Sequence, residues 1–136
     1  MRVANRAFLD TNVLVYKVEG EARKSAIAES LLALAPCISV QNLNEFVSVA
    51  TRKLQLDWDD IHVALDHFCE ACEILPVTEK VHDRALEIAE RHKIAMYDAL
   101  VVASAELAGC DVLYTEDMNH GPRVGGVEVR NPFKGP

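Results

Sequence analysis

Four acidic residues stand at predicted strand ends or helix starts, and one shared metal site would account for all of them: Asp10, Glu45, Asp98 and Asp117. Carboxylates held within a few ångströms repel one another, and one of them must bind a proton unless a cation is present. Mg²⁺ binds carboxylate and water oxygens, lowers the pKa of a bound water and stabilises charge on phosphate oxygens. With no catalytic Lys, Cys or Ser motif nearby, convergence of the four would indicate metal-assisted hydrolysis of a phosphodiester.

Each of the four also has a purely structural explanation. Asp10 is an ordinary turn residue, and Asn42 with Glu45 has the spacing of a capping box. Asp98 suits the positive end of a helix dipole wherever it lies, and Asp117 can be a plain loop residue. Only their convergence in one pocket would distinguish a metal site from these explanations.

The stretch RAFLDTNVLVY, residues 6–16, shows how the first acid is placed. Its apolar segments AFL and VLVY flank a polar turn made of Asp10, Thr11 and Asn12. The sequence therefore predicts a carboxylate at the edge of a buried strand.

The rest of the chain alternates between apolar strands and amphipathic helices, which predicts a parallel sheet between two helical layers. Ligands of such folds bind beyond the carboxyl ends of the strands. Glu45 is expected in the first turn of the helix after the second strand, Asp98 at the start of the helix before the fourth strand, and Asp117 just past that strand. Strands are predicted at residues 7–9, 37–40, 73–77, 111–115 and 127–131, and helices at 21–35, 42–54, from 57, from 78 and at 98–109, all in one domain spanning residues 1–136.

Composition sets limits on the function. Half of the 136 residues are apolar, 26% are charged, and the formal net charge is −7. This acidic balance argues against passive wrapping of a nucleic-acid backbone, but not against an enzyme whose acids bind cations. No apolar run is long enough to cross a bilayer and no secretory leader is predicted, so we expect a soluble cytoplasmic protein.

The four cysteines, Cys37, Cys69, Cys72 and Cys110, lie in apolar contexts. Cys69 and Cys72 form a single C-x-x-C pair on a predicted helix, which is a weak signal for zinc or redox chemistry without a second pair. Reduced thiols in the core are the favoured interpretation.

Three segments together resemble PIN-domain ribonucleases over nearly the whole chain: FLDTNVLVY, QNLNEF with Glu45, and YDALVVASAELAGCDVLYTEDMNHG. Within that family, the sequence is most similar to the VapC-type toxins of bacterial and archaeal toxin–antitoxin pairs. The resemblance implies a three-layer α/β/α sandwich around a parallel sheet of about five strands. It also implies an endoribonuclease that depends on Mg²⁺ or Mn²⁺.

The resemblance places Asp10, Glu45, Asp98 and Asp117 at the metal-binding and catalytic positions of the family. Asp10 and Asp98 are expected to contact the ion directly, and Asp117 directly or through water. Glu45 is expected to hold a second ion or to orient the attacking water. Supporting roles next to these carboxylates or the phosphate fall to Thr11, Asn12 and Thr115, with Glu116 as a partial substitute for Asp117.

An acidic nuclease still needs cations for its substrate. Arg123, which follows Asp117 in the same loop, is the first candidate for RNA binding. His120 could assist the leaving group, although a loop histidine is more often a bystander. The other available cations are Arg6, Arg52, Lys53, Arg91, Lys93 and Arg130, which on helix surfaces usually serve solubility alone.

The resemblance further implies a homodimer and a cognate antitoxin, whose apolar, Arg-bearing segment would lie in a groove near the acids. The segment DWDDIHVALDHF could form one wall of that groove, with Trp58 as an anchor. Trp58 as a plain core or edge residue is the competing interpretation.

Two alternatives from other classes stay open at this stage. The first is a catalytically inactive PIN-like module that binds RNA or protein. The second is a phosphoacceptor receiver domain, which requires an acceptor Asp at the end of the third strand. EILPV is followed instead by Thr78, Glu79 and Lys80, so the receiver is disfavoured. The absence of a glycine-rich phosphate loop from the sequence also disfavours nucleotide binding.

Overall fold

The structure is a computed structural model that describes residues 6–118 and 123–134. Six helices and six strands lie within these residues. In chain order they are β1 (Ala7–Leu9), α1 (Thr11–Val18), α2 (Ala22–Leu32), β2 (Cys37–Ser39), α3 (Val40–Arg52), α4 (Trp58–Ala71), β3 (Glu73–Leu75), α5 (Glu79–His92), α6 (Met96–Leu107), β4 (Val112–Tyr114), β5 (Arg123–Val124) and β6 (Val127–Arg130).

The strands form one sheet in the order β3-β2-β1-β4-β6-β5. Five of them are parallel, and the predicted parallel sheet is thereby confirmed. The sixth, β5, is a two-residue strand that runs antiparallel to β6, and the sequence did not predict it. The chain lays β2 and β3 on one side of β1 and β4 on the other, so the strand order reverses between β1 and β4. A crevice opens at the carboxyl ends of the strands at such a point.

Each face of the sheet carries its own core, which confirms the layered α/β/α arrangement. Phe8 points to the face covered by α5 and α6, where it clusters with Ile88 and Val102. The next residue, Leu9, points to the opposite face and clusters with Leu14 and Phe46 of α1 and α3. The alternation of side chains along a strand sends neighbouring residues to opposite layers.

The polar turn expected at Asp10, Thr11 and Asn12, with VLVY as its second apolar flank, is wrong. A helix, α1, begins at Thr11, and Asp10 is its N-cap: the Asp10 carboxylate accepts a hydrogen bond from the Thr11 backbone N–H at 2.7 Å. Val13 and Leu14 are fully buried against the sheet. Packing of these two side chains in the core favours the helix, although its valines have only a weak helix propensity.

Helix α2 ends at Leu32 rather than at the predicted Ala35. Ala35 has a φ of +53°, and it precedes Pro36, which disfavours helical backbone in the residue before it. Leu34, which falls inside the predicted helix 21–35, lies beyond its observed end and is exposed.

Three of the predicted helix boundaries are confirmed. Asp57 and Thr78 cap α4 and α5 through side-chain acceptors, and Gly109 follows α6 in a left-handed conformation with a φ of +75°. The expected capping box of Asn42 with Glu45 is wrong, because Ser39 is the cap and Asn42 is its partner. Glu45 consequently lies one turn further into α3 than predicted and is free of any capping role.

Cys37, Cys72 and Cys110 are buried free thiols, as expected. Cys69 is exposed on α4, so the core interpretation is wrong for this residue. Trp58, the first residue of α4, is 61% exposed and is not a core residue. Within the described part of the chain, no helix combines the length and apolarity needed to cross a membrane.

Candidate active site

Asp10 is fixed where β1 and β4 end side by side. Its backbone N–H donates to the Tyr114 carbonyl at 3.0 Å. Its carboxylate accepts from the Thr11 N–H at 2.7 Å and from the Thr115 hydroxyl at 2.8 Å. Both neighbours are buried, and Asp10 itself is only 8% exposed. This carboxylate is therefore held by neutral donors in a largely dry position.

Thr11 connects this point to α3. Its hydroxyl accepts from the Asn42 side-chain amide at 3.0 Å and hydrogen-bonds to the Glu45 carboxylate. Asn42 is completely buried and also accepts from the Ser39 backbone N–H at 2.8 Å. This positioning role could not be predicted from the sequence, in which Asn42 indicates only the start of a helix.

Asn12 connects α1 to the turn after β4. Its side-chain N–H₂ donates to Asp117 at 3.1 Å and to the Thr115 hydroxyl at 3.2 Å. Its side-chain oxygen accepts from the Glu116 N–H at 3.3 Å. The Asp117 N–H in turn donates to the Thr115 hydroxyl at 3.2 Å. One asparagine thus fixes three consecutive residues beyond β4.

The predicted acids come together in one cleft of about 440 Å³, called the acid cleft below. Asp10, Glu45, Asp98 and Asp117 all line it, although they come from four different elements. Asp98 arrives from the first turn of α6. Three of the predicted supporting residues, Thr11, Asn12 and Glu116, also line the cleft.

The acids in the cleft interact electrostatically. Burial raises the pKa of Asp10, and the charges of Asp117 and Asp98 raise it further, against the opposing hydrogen bonds from Thr115 and Thr11. Burial also raises the pKa of Glu45, and the charges of Asp10 and Asp98 add to this effect. A bound cation would relieve this repulsion.

The oxygen-only donor set suits a hard divalent cation. Among residues 6–118 and 123–134, no group of three or more His, Cys, Asp or Glu side chains is by itself arranged to hold a metal ion. Mg²⁺, however, is commonly bound by one or two carboxylates, with waters completing its shell. Asp10, Asp98 and Asp117 line the same cleft, so its lining contains oxygen ligands of the kind that such an ion prefers.

Two further residues of the cleft have side chains that could contact a substrate. Tyr97 was not predicted from the sequence, and Lys53 was predicted only as one of several available cations. Tyr97 directly precedes Asp98, lines the cleft and is 64% exposed. Lys53, the C-cap of α3, adds a cation to the same cleft. An aromatic next to an acid at a helix start was the available signal for Tyr97.

Glu116 has its own partners beside the cleft. Its two carboxylate oxygens accept from the Tyr16 hydroxyl and from the Lys24 ammonium, the latter at 2.7 Å. Burial would raise the pKa of Glu116, but the hydrogen bonds from Lys24 and Tyr16 outweigh it and the pKa is lowered. This carboxylate is already neutralised by the protein.

Arg123 lies elsewhere. It is an exposed residue of β5 and lines a second cleft with Arg84 and Glu106, while the acid cleft does not include it. Strand β5 is the edge strand of the sheet and pairs antiparallel with β6, and from there Arg123 lines a cleft together with residues of α5. The closeness of Arg123 to Asp117 in sequence could not predict this position. His120 falls outside the described residues.

Comparison with known families is decisive at this point, because residues 7–121 match the PIN domain. The chain belongs to the PIN domain family. The match spans β1 through the segment after Asp117, and it therefore includes all four acids of the cleft. No curated protein matches the sequence.

Solved structures share this PIN fold along almost the whole chain. A toxin–antitoxin complex from Klebsiella pneumoniae is 21% identical, covers 93% of this chain and 97% of its own, and superposes with a TM-score of 0.70. FitAcB from Neisseria gonorrhoeae is 25% identical, with 93% and 98% covered and a TM-score of 0.64. The sarcin-ricin loop cleaving toxin VapC20 of Mycobacterium tuberculosis is 21% identical, with 90% and 98% covered and a TM-score of 0.69. The predicted PIN fold is thereby confirmed.

Proposed function

We propose that this PIN-domain protein is a divalent-metal-dependent endoribonuclease and the toxin of a toxin–antitoxin pair. The observation that carries the proposal is the convergence of Asp10, Glu45, Asp98 and Asp117 on one cleft. Burial and mutual repulsion there raise the pKa of Asp10 and of Glu45. The proposal is also supported by similarity of fold to VapC20, a toxin that cleaves the sarcin-ricin loop.

The roles of the acids follow from their environments. Asp10, Asp98 and Asp117 would hold Mg²⁺ or Mn²⁺, which when bound supplies a positive charge for the phosphate oxygens and a more acidic water. Thr115 and the Thr11 N–H fix the Asp10 carboxylate, and Asn12 fixes that of Asp117. Glu45, with its raised pKa, is placed to accept a proton from the attacking water.

A chain of net charge −7 needs local cationic or aromatic side chains to bind RNA. Lys53 supplies a cation in the cleft, and Tyr97 offers an exposed ring on which an unstacked base can lie. Arg123 remains a predicted RNA contact, and its position would require a strand that extends beyond the cleft.

The predicted partners are a second copy of the chain and an antitoxin. A groove of about 390 Å³ between α1 and α4 is lined by Val18, Leu56, Val63 and Phe68. Val63 is 70% exposed, so this groove offers apolar surface to a partner. The groove includes part of the segment DWDDIHVALDHF, and we propose it as the place where an apolar antitoxin segment lies. The Klebsiella relative was solved as a toxin–antitoxin complex.

The decisive experiment is a cleavage assay on a structured RNA with Mg²⁺ or Mn²⁺. We expect cutting that EDTA abolishes, and a loss of more than about 100-fold in Asp98→Asn, because the change removes a metal-binding carboxylate. Asp60→Asn is the matched control: Asp60 is the third residue of α4, as Asp98 is of α6, but it is exposed and outside the acid cleft.

Equal cutting by Asp98→Asn and the unmodified protein would refute the site. Absence of cutting together with absence of Mn²⁺ binding in calorimetry at neutral pH would instead indicate the inactive RNA- or protein-binding module.

A further inference from the structure

An ion pair on the α2 side of the acid cleft connects three parts of the chain that are distant in sequence. Lys24 of α2 donates to the Glu116 carboxylate at 2.7 Å and to the Tyr16 hydroxyl at 3.1 Å. Its ammonium also lies 4.3 Å from the centre of the Tyr16 ring. Phe133, near the end of the chain, packs edge-on against that ring at 4.8 Å. Tyr16 and Glu116 line the cleft, whereas Lys24 does not.

We propose that Lys24 is a positioning residue for the acid cleft: it holds Glu116 in an ion pair and so presents Asp117, not Glu116, as the metal-binding carboxylate of this turn. The proposal rests on the proposed metal-dependent function. It also replaces the sequence-based expectation that Glu116 substitutes in part for Asp117.

The choice between Glu116 and Asp117 needs a structural cause, because adjacent carboxylates offer a cation nearly equivalent ligands. Both oxygens of Glu116 are taken by protein donors, Tyr16 on one and Lys24 on the other. Asp117 instead receives a neutral N–H from Asn12, which leaves its charge uncompensated by that contact. A carboxylate already paired with an ammonium is a poor ligand for a second cation.

Glu116 is held by two helices, through its backbone and through its side chain. The Glu116 N–H donates to Asn12 of α1, and the Glu116 side chain reaches Lys24 of α2. Removal of the Lys24 charge would leave Glu116 half-buried and without its cation, in a cleft that five other acids line. The turn would then be free to rotate the Glu116 carboxylate toward the cleft or toward solvent.

A direct role of Lys24 in RNA binding fits the geometry poorly. Its side chain is 27% exposed, it is covered by Tyr16, and its charge is matched by Glu116. A lysine that contacts phosphate would change the KM and the salt dependence of binding. A positioning lysine would change metal affinity and kcat and leave the KM for RNA nearly constant.

The main test is Lys24→Met, which keeps the apolar stem and removes the charge. We expect Mn²⁺ affinity measured by calorimetry and kcat for RNA each to fall roughly 10-fold, with KM changed less than about 2-fold. Lys24→Arg should recover most of both. Lys17→Met is the matched control and should leave both unchanged: Lys17 has the same 27% side-chain exposure and pairs with Glu29 at 2.9 Å.

A second comparison remains informative even if Lys24→Met does not fold. In the proposed arrangement, Glu116→Gln lowers Mn²⁺ affinity much less than Asp117→Asn does. In a stably folded Lys24→Met background, Glu116→Gln adds little further loss, since both changes break one interaction. Equal effects of Glu116→Gln and Asp117→Asn on Mn²⁺ affinity would overturn the proposal by showing that Glu116 binds the metal.

Wild-type Mn²⁺ affinity and kcat in Lys24→Met would likewise overturn it, and a change confined to KM and its salt dependence would indicate an RNA contact instead. If the unmodified protein binds Mn²⁺ but cuts no RNA, the proposed function fails while the calorimetric comparison still tests Lys24. If the unmodified protein binds no Mn²⁺, both proposals fail.

Discussion

Two clefts of this protein place carboxylates in opposite electrostatic environments. In the cleft between α5, α6 and the β5–β6 turn, Glu106 accepts from the Arg84 guanidinium with both oxygens and from the Gly126 N–H at 2.7 Å. The hydrogen bonds from Arg84 lower the pKa of Glu106. In the acid cleft, Asp10 and Asp117 receive hydrogen bonds from neutral donors, and the pKa of Asp10 and of Glu45 is raised.

The important difference between the two clefts is in the charge partners of their carboxylates, not in their volume. The Arg84–Glu106 cleft is larger, at about 880 Å³ against about 440 Å³. Glu106 in that cleft is nevertheless neutralised by Arg84. Gly125, with a φ of +61°, brings the β5–β6 turn so close that a Cβ there would lie 2.7 Å from Glu106. Carboxylates buried close together, as Asp10 and Glu45 are, cost stability, and function accounts for such a cost.

The largest expected effect tests the acid cleft. Asp10→Asn should lower RNA cleavage more than about 100-fold and, in EDTA, leave the melting temperature unchanged or higher. The amide keeps an oxygen for the Thr11 N–H but loses the bond from the Thr115 hydroxyl, whose oxygen already accepts from Asn12 and Asp117. Relief of the repulsion from Asp98 and Asp117 and of the cost of burying a charge offsets that loss. Activity assays and thermal unfolding in chelator measure the two effects. A variant that is both inactive and strongly destabilised would show that Asp10 is mainly a structural cap.

The second effect tests the other cleft. Arg84→Met should lower the free energy of unfolding by about 1–2 kcal/mol, because it leaves the half-buried Glu106 without its cation. RNA cleavage should stay at the unmodified level. Urea unfolding measures the change, and Arg91→Met, an exposed arginine on the same helix, is the control. A loss of cleavage in a stable Arg84→Met protein would indicate that the second cleft also binds substrate.

What the sequence could predict was the position of the acids relative to the sheet. Parallel strands place their carboxyl ends at one edge, so Asp10 and Asp117, which each follow a strand, had to meet there. Asp98 could be placed because it stands at the start of the helix that leads into β4. These predictions depend only on chain order and on the handedness of crossover connections, which are nearly invariant.

What the sequence could not predict was contacts between elements that are distant along the chain. Lys24 and Glu116 are 92 residues apart, and Thr11 and Asn42 are 31 apart. Such pairs depend on how each helix is rotated against the sheet, which packing decides and composition does not. Arg123 shows the converse error, since it is close to Asp117 in sequence but lines a different cleft.

The smallest expected effect is the pH dependence of stability, which has opposite signs in the two clefts. Asp10 and Glu45 have a raised pKa in the folded protein, so the folded state binds more protons than the unfolded state just above the ordinary carboxyl pKa of about 4. In EDTA, these groups therefore make stability fall as pH rises from about 4 through their folded pKa. Glu106, with its lowered pKa, contributes stability above pH of about 4 that is lost as pH falls.

Urea unfolding between pH 4 and pH 7.5 should show that the stability of Asp10→Asn relative to the unmodified protein rises with pH. Saturating Mn²⁺ should reverse that trend, because the ion stabilises only the protein that retains the carboxylate. A difference between the two proteins that is constant with pH in EDTA would mean that Asp10 is not held under repulsion in the folded state.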